Sequence, residues 1–216
     1  MKLRNTENIW VLALFLGITG LAAGAILALV SQITAEPIRQ AKLKNELNVL
    51  KELNLPTFDN DMTSETFTVN NVLFMAARNH GKLSAIAAKV STSSGYSGKM
   101  RALVGFDLSG NILCVQVLEH KETPGLGAEV CERKFQRTVF NLFSPPPAGL
   151  PPNAILDQFN GKNAATSNNW KIIKDGGELI YRTGATVSSR AITEMVSAAA
   201  VNFKTALTYF NGEQPL

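Results

Sequence analysis

Residues 100–120 read Met-Arg-Ala-Leu-Val-Gly-Phe-Asp-Leu-Ser-Gly-Asn-Ile-Leu-Cys-Val-Gln-Val-Leu-Glu-His, two apolar runs separated by a short polar segment. Apolar residues of the first run recur at every second position, which is the period of a β-strand. These positions are Ala102, Val104, Phe106 and Leu108. The tripeptide Ser-Gly-Asn at 109–111 is typical of a turn, and a second apolar run begins at Ile112. The stretch therefore predicts a β-hairpin in an antiparallel or mixed sheet.

Helices are predicted to flank this sheet. From residue 186 onward, apolar residues recur at spacings of three and four, which places them on one helical face. They are Ile192, Val196, Ala199, Phe203, Leu207 and Phe210. Asn211 and Gly212 are residues that commonly end a helix. Residues 67–77 and 83–90 fit strands or helices equally by period alone. The predicted fold class is α+β.

The N-terminal region predicts a single transmembrane helix. From Ile9 to Val30 there is no charged residue in 22 positions, and about 20 apolar residues cross a hydrocarbon core about 30 Å thick. A cleaved signal peptide is the alternative, but its apolar core is usually only about 7–15 residues long. The segment 33–35 also lacks a small residue at the first cleavage position. An uncleaved anchor is therefore favoured.

The charges beside the anchor predict its orientation. Lys2 and Arg4 precede the anchor, and Glu7 is the only acidic residue among positions 1–8. The positive-inside rule therefore predicts a cytoplasmic N-terminus. Most of the chain would then be extracytoplasmic, which means periplasmic at a bacterial inner (cell) membrane. The predicted divisions are a cytoplasmic tail at 1–8, a transmembrane helix at 9–30, a juxtamembrane helix at 31–55 and a domain at 56–216.

The composition argues against several classes of function. The formal net charge of +4 is spread along the chain without a long basic run, so nucleic-acid binding is not predicted. The two cysteines, Cys114 and Cys131, and the two histidines, His80 and His120, show no close ligand spacing, so no metal site is predicted. A disulfide between the cysteines and two buried free thiols both remain open. No serine lies in a recognisable nucleophile motif, and no catalytic residue is predicted.

Prolines are concentrated in one segment. Five of the nine prolines fall between Pro145 and Pro152. Each proline ring removes a hydrogen-bond donor and fixes φ, so no regular element can pass through this segment. We expect residues 144–153 to form a surface loop between two parts of one domain.

The turn Thr-Gly-Ala-Thr at 183–186 opens the C-terminal helix pattern. Side-chain oxygens that can cap this helix start belong to Thr186, Ser188 and Ser189. A helix N-terminus attracts phosphate, because its unpaired backbone N–H groups point outward and the helix dipole adds to them. Gly184 and Ala185 leave room for such a group to approach. An ordinary capped helix is the alternative interpretation.

A second small-residue turn follows the hairpin directly. Residues 120–127 read His-Lys-Glu-Thr-Pro-Gly-Leu-Gly. Pro124 fixes its own φ, while the glycines at 125 and 127 permit conformations closed to other residues. Glu122 and Thr123 supply polar groups beside the apolar Leu126. This loop could hold a planar heteroaromatic ring, or it could be a hairpin exit turn with a helix cap.

These turns occur together in the order seen in membrane-anchored FMN-binding domains. The shared motifs are Gly-Tyr-Ser-Gly at 95–98, Val-Gly-Phe-Asp at 104–107 with Gly110 and Ile112, the loop at 120–127, and the turn at 183–186. Over the anchor and residues 90–200, the chain resembles the G subunit of the Rnf-type ion-translocating electron transport complex. The C subunit of the sodium-pumping NADH:quinone oxidoreductase shares most of these motifs and is the alternative. The segment 170–186, with Lys-Asp-Gly-Gly at 174–177, looks more like the Rnf protein.

The resemblance implies that each chain carries one FMN covalently, through a phosphoester on the hydroxyl of Thr186. It also implies that Glu122, Thr123 and Leu126 approach the flavin ring, with Tyr96 and Ser97 nearby. The full set of cofactor-binding residues expected on this basis is Thr186, Thr183, Gly184, Ala185, Ser188, Glu122, Thr123, Gly125, Leu126, Tyr96, Ser97 and Lys174. The chain departs from the family at Ile180, where flavin transferases usually find an acidic residue.

The implied function is electron transfer between ferredoxin and NAD, coupled to ion translocation. The implied partners are other membrane subunits of the same complex and a flavin transferase for maturation. FMN can pass one or two electrons and needs no general acid or base from the protein, so no stand-alone turnover is expected. A different class of function is also possible: a membrane-tethered binding or scaffold module whose glycine turns are structural.

Overall fold

The computed structural model describes residues 9–53, 55–135 and 149–212. One α-helix, α1, spans Ile9–Glu52. Its portion Ile9–Lys42 is long and apolar enough to cross a membrane, and the most apolar part of that portion is exposed throughout. The chain divides into two compact units between residues 47 and 48, so the end of α1 belongs to the second unit.

The second unit is built on an antiparallel meander of five strands, in which each strand pairs with the next in sequence. The strands are β1 (Thr66–Val69), β2 (Val72–Asn79), β3 (Lys82–Gly95), β4 (Gly98–Phe106) and β5 (Ile112–Glu119). Two-residue turns with positive φ join the first three strands, at Asn70–Asn71 and His80–Gly81. Such turns match the natural twist of paired strands and keep them antiparallel.

The hairpin predicted at residues 100–120 is confirmed. Strands β4 and β5 pair with Val104 opposite Val115, and Gly110 in the turn has a φ of 83°. The segments 67–77 and 83–90, which fitted strand or helix, lie within strands. The predicted strand included Leu108 as its last alternating residue. In the structure Leu108 lies in the turn after β4 and is 41% exposed. Every residue from Ala102 to Phe106 is buried, because both faces of the sheet are covered.

The core has one layer on each face of the sheet. On one face, Val104, Phe106 and Val115 belong to the large cluster that includes the C-terminal helix. On the other face, Leu103 and Cys114 pack with Val49, Leu50 and Leu53 at the end of α1. Cys114 and Cys131 lie in different clusters, and both are buried free thiols. Of the two alternatives from the sequence, the disulfide is therefore wrong and the pair of free thiols is confirmed.

Short helices connect the sheet to a long C-terminal helix. They are α2 (Ala128–Cys131), α3 (Ala154–Asp157) and two 3₁₀ helices at Ala164–Asn169 and Ile173–Asp175. The last helix, α4, spans Thr186–Phe210, which confirms the predicted helix at both ends. Of the predicted loop at 144–153, residues 144–148 lie outside the described residues, and residues 149–153 contain neither helix nor strand.

Candidate functional site

A cleft of about 540 Å³ opens where the start of α4 meets the loop that follows β5. Its lining comprises Tyr96, Glu122, Thr123, Leu126, Gly127, Lys174, Gly184, Ala185, Thr186, Val187 and Ser188. The structure thus brings together residues as far apart in sequence as Tyr96 and Ser188. Three of the expected binding residues, Thr183, Gly125 and Ser97, neighbour the cleft in sequence but do not line it. Gly127 and Val187 line it although they were not among the expected residues.

The start of α4 is open, although the sequence offers three hydroxyls that could cap it. Ala185 is the N-cap residue and its side chain makes no capping hydrogen bond. The Ser188 hydroxyl donates to Glu122, and that of Ser189 donates to the Ala185 carbonyl oxygen over 3.0 Å. Within the described chain, helix geometry therefore leaves the first-turn amides at 186–188 without intrahelical acceptors. These N–H groups and the helix dipole make this end of the cleft attractive to anions.

Thr186 is the first residue of α4 and is half-buried in the cleft wall. The turn before it depends on Gly184, whose φ is 86°. A β-carbon added at Gly184 would lie 3.4 Å from Cδ2 of Leu126, so this turn approaches the loop at 120–127 closely. Thr186 therefore lines a cleft where a group could contact both the open helix end and the loop.

The loop at 120–127 is a tight turn that leads into α2. The amides of Leu126 and Ala128 both donate to the Thr123 carbonyl oxygen, over 3.2 Å and 3.1 Å. Gly125 has a φ of 78°, which only glycine adopts without strain. Leu126 is 48% exposed and Tyr96, across the cleft, is 74% exposed. Both present apolar surface at the cleft mouth, where a planar ring could be held.

Glu122 is the buried acidic group of the cleft, at 5% exposure. Its Oε2 accepts a hydrogen bond of 2.6 Å from the Ser188 hydroxyl, and its Oε1 accepts one of 3.1 Å from the Ser97 amide. Its own amide donates to Nδ1 of His120 over 3.3 Å. Both carboxylate oxygens are therefore bonded to the protein, a pairing that sequence patterns gave no reason to expect.

Lys174 supplies an exposed cation beside the open helix end. Its neighbour Asp175 accepts two hydrogen bonds of 2.6 Å from the Arg190 guanidinium. These bonds lower the pKa of Asp175 and raise the pKa of Arg190. The pair fastens the turn that carries Lys174 to the first turns of α4. This pair was not predicted from the sequence, although the acid and the base lie only 15 residues apart.

Comparison with known proteins identifies the family of this chain. Residues 95–201 match the family model of the FMN-binding domain. A Photorhabdus laumondii protein, named as the G subunit of an ion-translocating oxidoreductase complex, is 31% identical over 205 residues, covering 90% of this chain and 88% of the relative. The chain belongs to this G-subunit family. The proteins of the same name from Pseudomonas aeruginosa and Shewanella baltica are 34% and 30% identical, over 87% and 99% of this chain and 85% and 93% of theirs.

The resemblance identified from the motifs is therefore confirmed. As a member of the G-subunit family with an FMN-binding domain, the chain is a flavin-carrying electron-transfer component of an ion-translocating complex. The apolar helix α1 makes it a single-pass membrane-anchored protein. Among residues 9–53, 55–135 and 149–212, no group of His, Cys, Asp or Glu is arranged to hold a metal ion.

The cleft fits FMN in its chemistry as well as its size. Clefts that hold small ligands have volumes of about 300–1,000 Å³ and combine apolar walls with a few polar groups. Here the first-turn amides of α4 and Lys174 would hold the phosphate, while Tyr96 and Leu126 would face the ring. The half-buried Thr186 begins α4 and lines the same cleft.

Proposed function

We propose that this protein holds one FMN through a phosphoester on Oγ1 of Thr186 and carries electrons within its complex. The observation that supports this most is the position of Thr186, the first residue of an uncapped 25-residue helix in the wall of the FMN-sized cleft. A hydroxyl at that position lies among the first-turn amides, which would hold the phosphate during and after esterification. FMN supplies one- and two-electron transfer when bound.

The phosphate end of the cleft is electrically suited to an anion. The dipole of α4 places partial positive charge at the amides of its first turn. Lys174 adds a full charge, and the Asp175–Arg190 pair holds its turn in place. A phosphate would therefore be bound by the backbone and one lysine, and the ester would fix it permanently. A covalent link suits a carrier that remains in one place within a complex.

The electrons would pass between ferredoxin and NAD, and this protein alone would not turn over a substrate. The described residues that line the cleft include no histidine or cysteine, and their one carboxylate is bonded to Ser97 and Ser188. The cleft is therefore equipped to bind and orient a flavin and has little that could act as a general acid or base. The other subunits of the complex would supply and accept the electrons.

The proposed orientation and maturation follow from the sequence flanking the anchor and the cleft. Lys2 and Arg4 favour a cytoplasmic N-terminus at a bacterial inner membrane, and the cleft would then face the periplasm. A flavin transferase would attach FMN there. At the departure from the family pattern, Ile180 is 41% exposed, and Gln158 bonds both its N–H and its carbonyl. The transferase for this chain would meet an apolar side chain at that point.

Covalent flavin is tested by its fluorescence after denaturation. The full-length chain is produced with and without a flavin transferase, denatured, separated by electrophoresis and viewed under ultraviolet light. We expect a fluorescent band at the mass of the chain only when the transferase is present. A membrane-tethered scaffold without cofactor would give no band in either sample, and that result would refute the proposal.

A further inference from the structure

We propose that Glu122 is a positioning residue, which joins the walls of the cleft to one another instead of contacting the flavin through its carboxylate. The joined groups are the Ser97 amide, the Glu122 carboxylate and the Ser188 hydroxyl, here named the Glu122 latch. The consequence for the cofactor rests on the function proposed above. The latch itself is a property of the protein alone.

The latch connects three separate segments of the chain. Ser97 lies in the turn between β3 and β4, next to Tyr96 of the cleft mouth. Glu122 lies in the loop that carries Leu126, and Ser188 lies in the first turn of α4, two residues after Thr186. The turn next to Tyr96 and the loop that carries Leu126 are thus both bonded to the start of α4. The latch therefore sets the distance between the part of the cleft that would face the ring and the part that would hold the phosphate.

Two glycines leave the space that the carboxylate occupies. A β-carbon at Gly95 would lie 2.8 Å from Oε1 of Glu122, and one at Gly127 would collide with Oε2 and lie 2.7 Å from the Ser188 hydroxyl. Gly127 has φ −65° and ψ −32°, values that any residue adopts. Its backbone therefore does not require glycine. Glycine is required at this position because the Glu122 carboxylate and the Ser188 hydroxyl leave no space for a β-carbon.

The energetics favour a strong latch. A carboxylate on a residue that is only 5% exposed is costly unless its oxygens are hydrogen-bonded, and here both are. Hydrogen bonds to an ionised group are about twice as strong as neutral ones. The carboxylate also lies at the positive end of α4, where the helix dipole stabilises negative charge. Loss of the side chain would leave the Ser97 amide and the Ser188 hydroxyl without this acceptor.

Hydrogen exchange of the full-length chain tests the latch, with and without FMN attached. Glu122→Ala should speed exchange of the Ser97 amide, which loses its acceptor, by about tenfold or more, as expected for a lost bond to a charged group. Glu122→Gln should retain slow exchange, because its amide oxygen can accept from Ser97 while its NH₂ donates to Ser188. Glu178→Gln is the matched control, since Glu178 forms an exposed surface pair with Lys162.

Gly127→Ala tests the same latch with Glu122 intact. The added methyl group should displace the carboxylate and speed exchange at residues 95–98 and 120–127, although alanine suits the backbone there. This variant remains decisive if Glu122→Ala does not fold. In the flavinylated protein, Glu122→Ala and Gly127→Ala should also change the visible circular dichroism of the flavin, and Glu122→Gln should restore the wild-type spectrum.

The outcomes separate the latch from the proposed function. Slow exchange of the Ser97 amide in both Glu122→Ala and Gly127→Ala would overturn the latch, whether or not FMN is attached. A wild-type chain that never acquires covalent FMN would overturn the proposed function, but fast exchange in the two variants would still support the latch. Unchanged flavin dichroism with fast exchange would show that the latch does not position the ring, and it would overturn that part of the inference.

Discussion

The side chain of Leu126 lies against the backbone at Gly184, where an added β-carbon would be 3.4 Å from its Cδ2 atom. This approach joins the loop after β5 to the turn before α4. It places an exposed leucine on one side of the cleft and Thr186 on the other. The two motifs that identified the family from the sequence therefore meet in space.

Gly184→Ala should reduce both stability and flavin attachment. At φ 86° an alanine carries the left-handed conformational penalty of about 1–2 kcal/mol, and its methyl group would occupy the contact between this turn and Leu126. Gly161→Ala is the matched control, because Gly161 has φ 78° and nothing within 4 Å of the added carbon. Urea unfolding should show similar losses for the two variants, and in-gel fluorescence should fall for Gly184→Ala only. Equal fluorescence in the two variants would contradict the prediction.

Asn153 joins two short helices and should be important for the stability of the domain. Its side-chain oxygen accepts from the amides of Ile155 and Leu156, and its NH₂ donates to the carbonyl oxygens of Glu129, Val130 and Glu132. Asn153→Ala should lower the free energy of unfolding by about 2 kcal/mol, through a lost cap and unpaired buried carbonyls.

A second substitution separates the two roles of Asn153. Asn153→Asp keeps the cap acceptor but turns a carboxylate toward the carbonyl oxygens in and just after α2, so it should be at least as destabilising as alanine. Urea titration measures both variants. A wild-type stability for Asn153→Asp would mean that the bonds to these carbonyl oxygens contribute nothing.

The buried thiols should be unreactive in the folded protein. Burial, with the nearby charges of Glu122 and Glu132, raises the pKa of Cys131 to about 12, and burial raises the pKa of Cys114. At pH 9 a thiol in the unfolded chain, with a pKa of about 8.5, is largely ionised while the folded thiols stay protonated. The unfolded state then binds fewer protons, so this contribution lowers stability as pH rises above about 8.5.

Alkylation with iodoacetamide at pH 9 measures this protection. We expect no labelling of the folded chain and two labels per chain in urea. Cys131→Ala, which leaves Cys114 as a single probe, should give one label in urea. Rapid labelling of the native protein would contradict the buried placement of the thiols.

The orientation in the membrane is predicted by the charges before the anchor. A reporter enzyme that is active only in the periplasm should be active when fused to the C-terminus, because Lys2 and Arg4 hold the N-terminus in the cytoplasm. Replacing both with glutamate should reduce that activity and raise the signal of a cytoplasmic reporter. A cytoplasmic signal from the unaltered chain would overturn the proposed orientation.

Local patterns were sufficient to predict α4 and the β4–β5 hairpin. The apolar spacing behind Thr186 and the stop at Asn211 reproduce the helix Thr186–Phe210, because one face packs on the sheet and the other meets solvent. The strands were harder, since Ala102 to Phe106 are all buried and alternation carries little information when both faces are covered. Leu108 continued the alternation into the turn, where the Ser-Gly-Asn sequence determines the structure instead.

The residues of the site were largely predicted from the sequence, but the hydrogen bonds among them were not. The motif resemblance selected most residues that line the cleft, but it did not predict the partners of the hydroxyls at the helix start. Ser188 instead bonds to Glu122, 66 residues away in sequence. A contact at that separation follows from the path of the whole chain, so no local pattern could reveal it. The bond from the Ser97 amide to Glu122, 25 residues away, was missed for the same reason.

Peptide mass analysis of the mature protein identifies the residue that carries FMN. We expect FMN phosphate on Thr186, retained in Thr186→Ser and Thr183→Ala and lost in Thr186→Ala while the chain stays folded in the membrane. Covalent FMN on any other residue, or its retention in Thr186→Ala, would refute the phosphoester at Thr186.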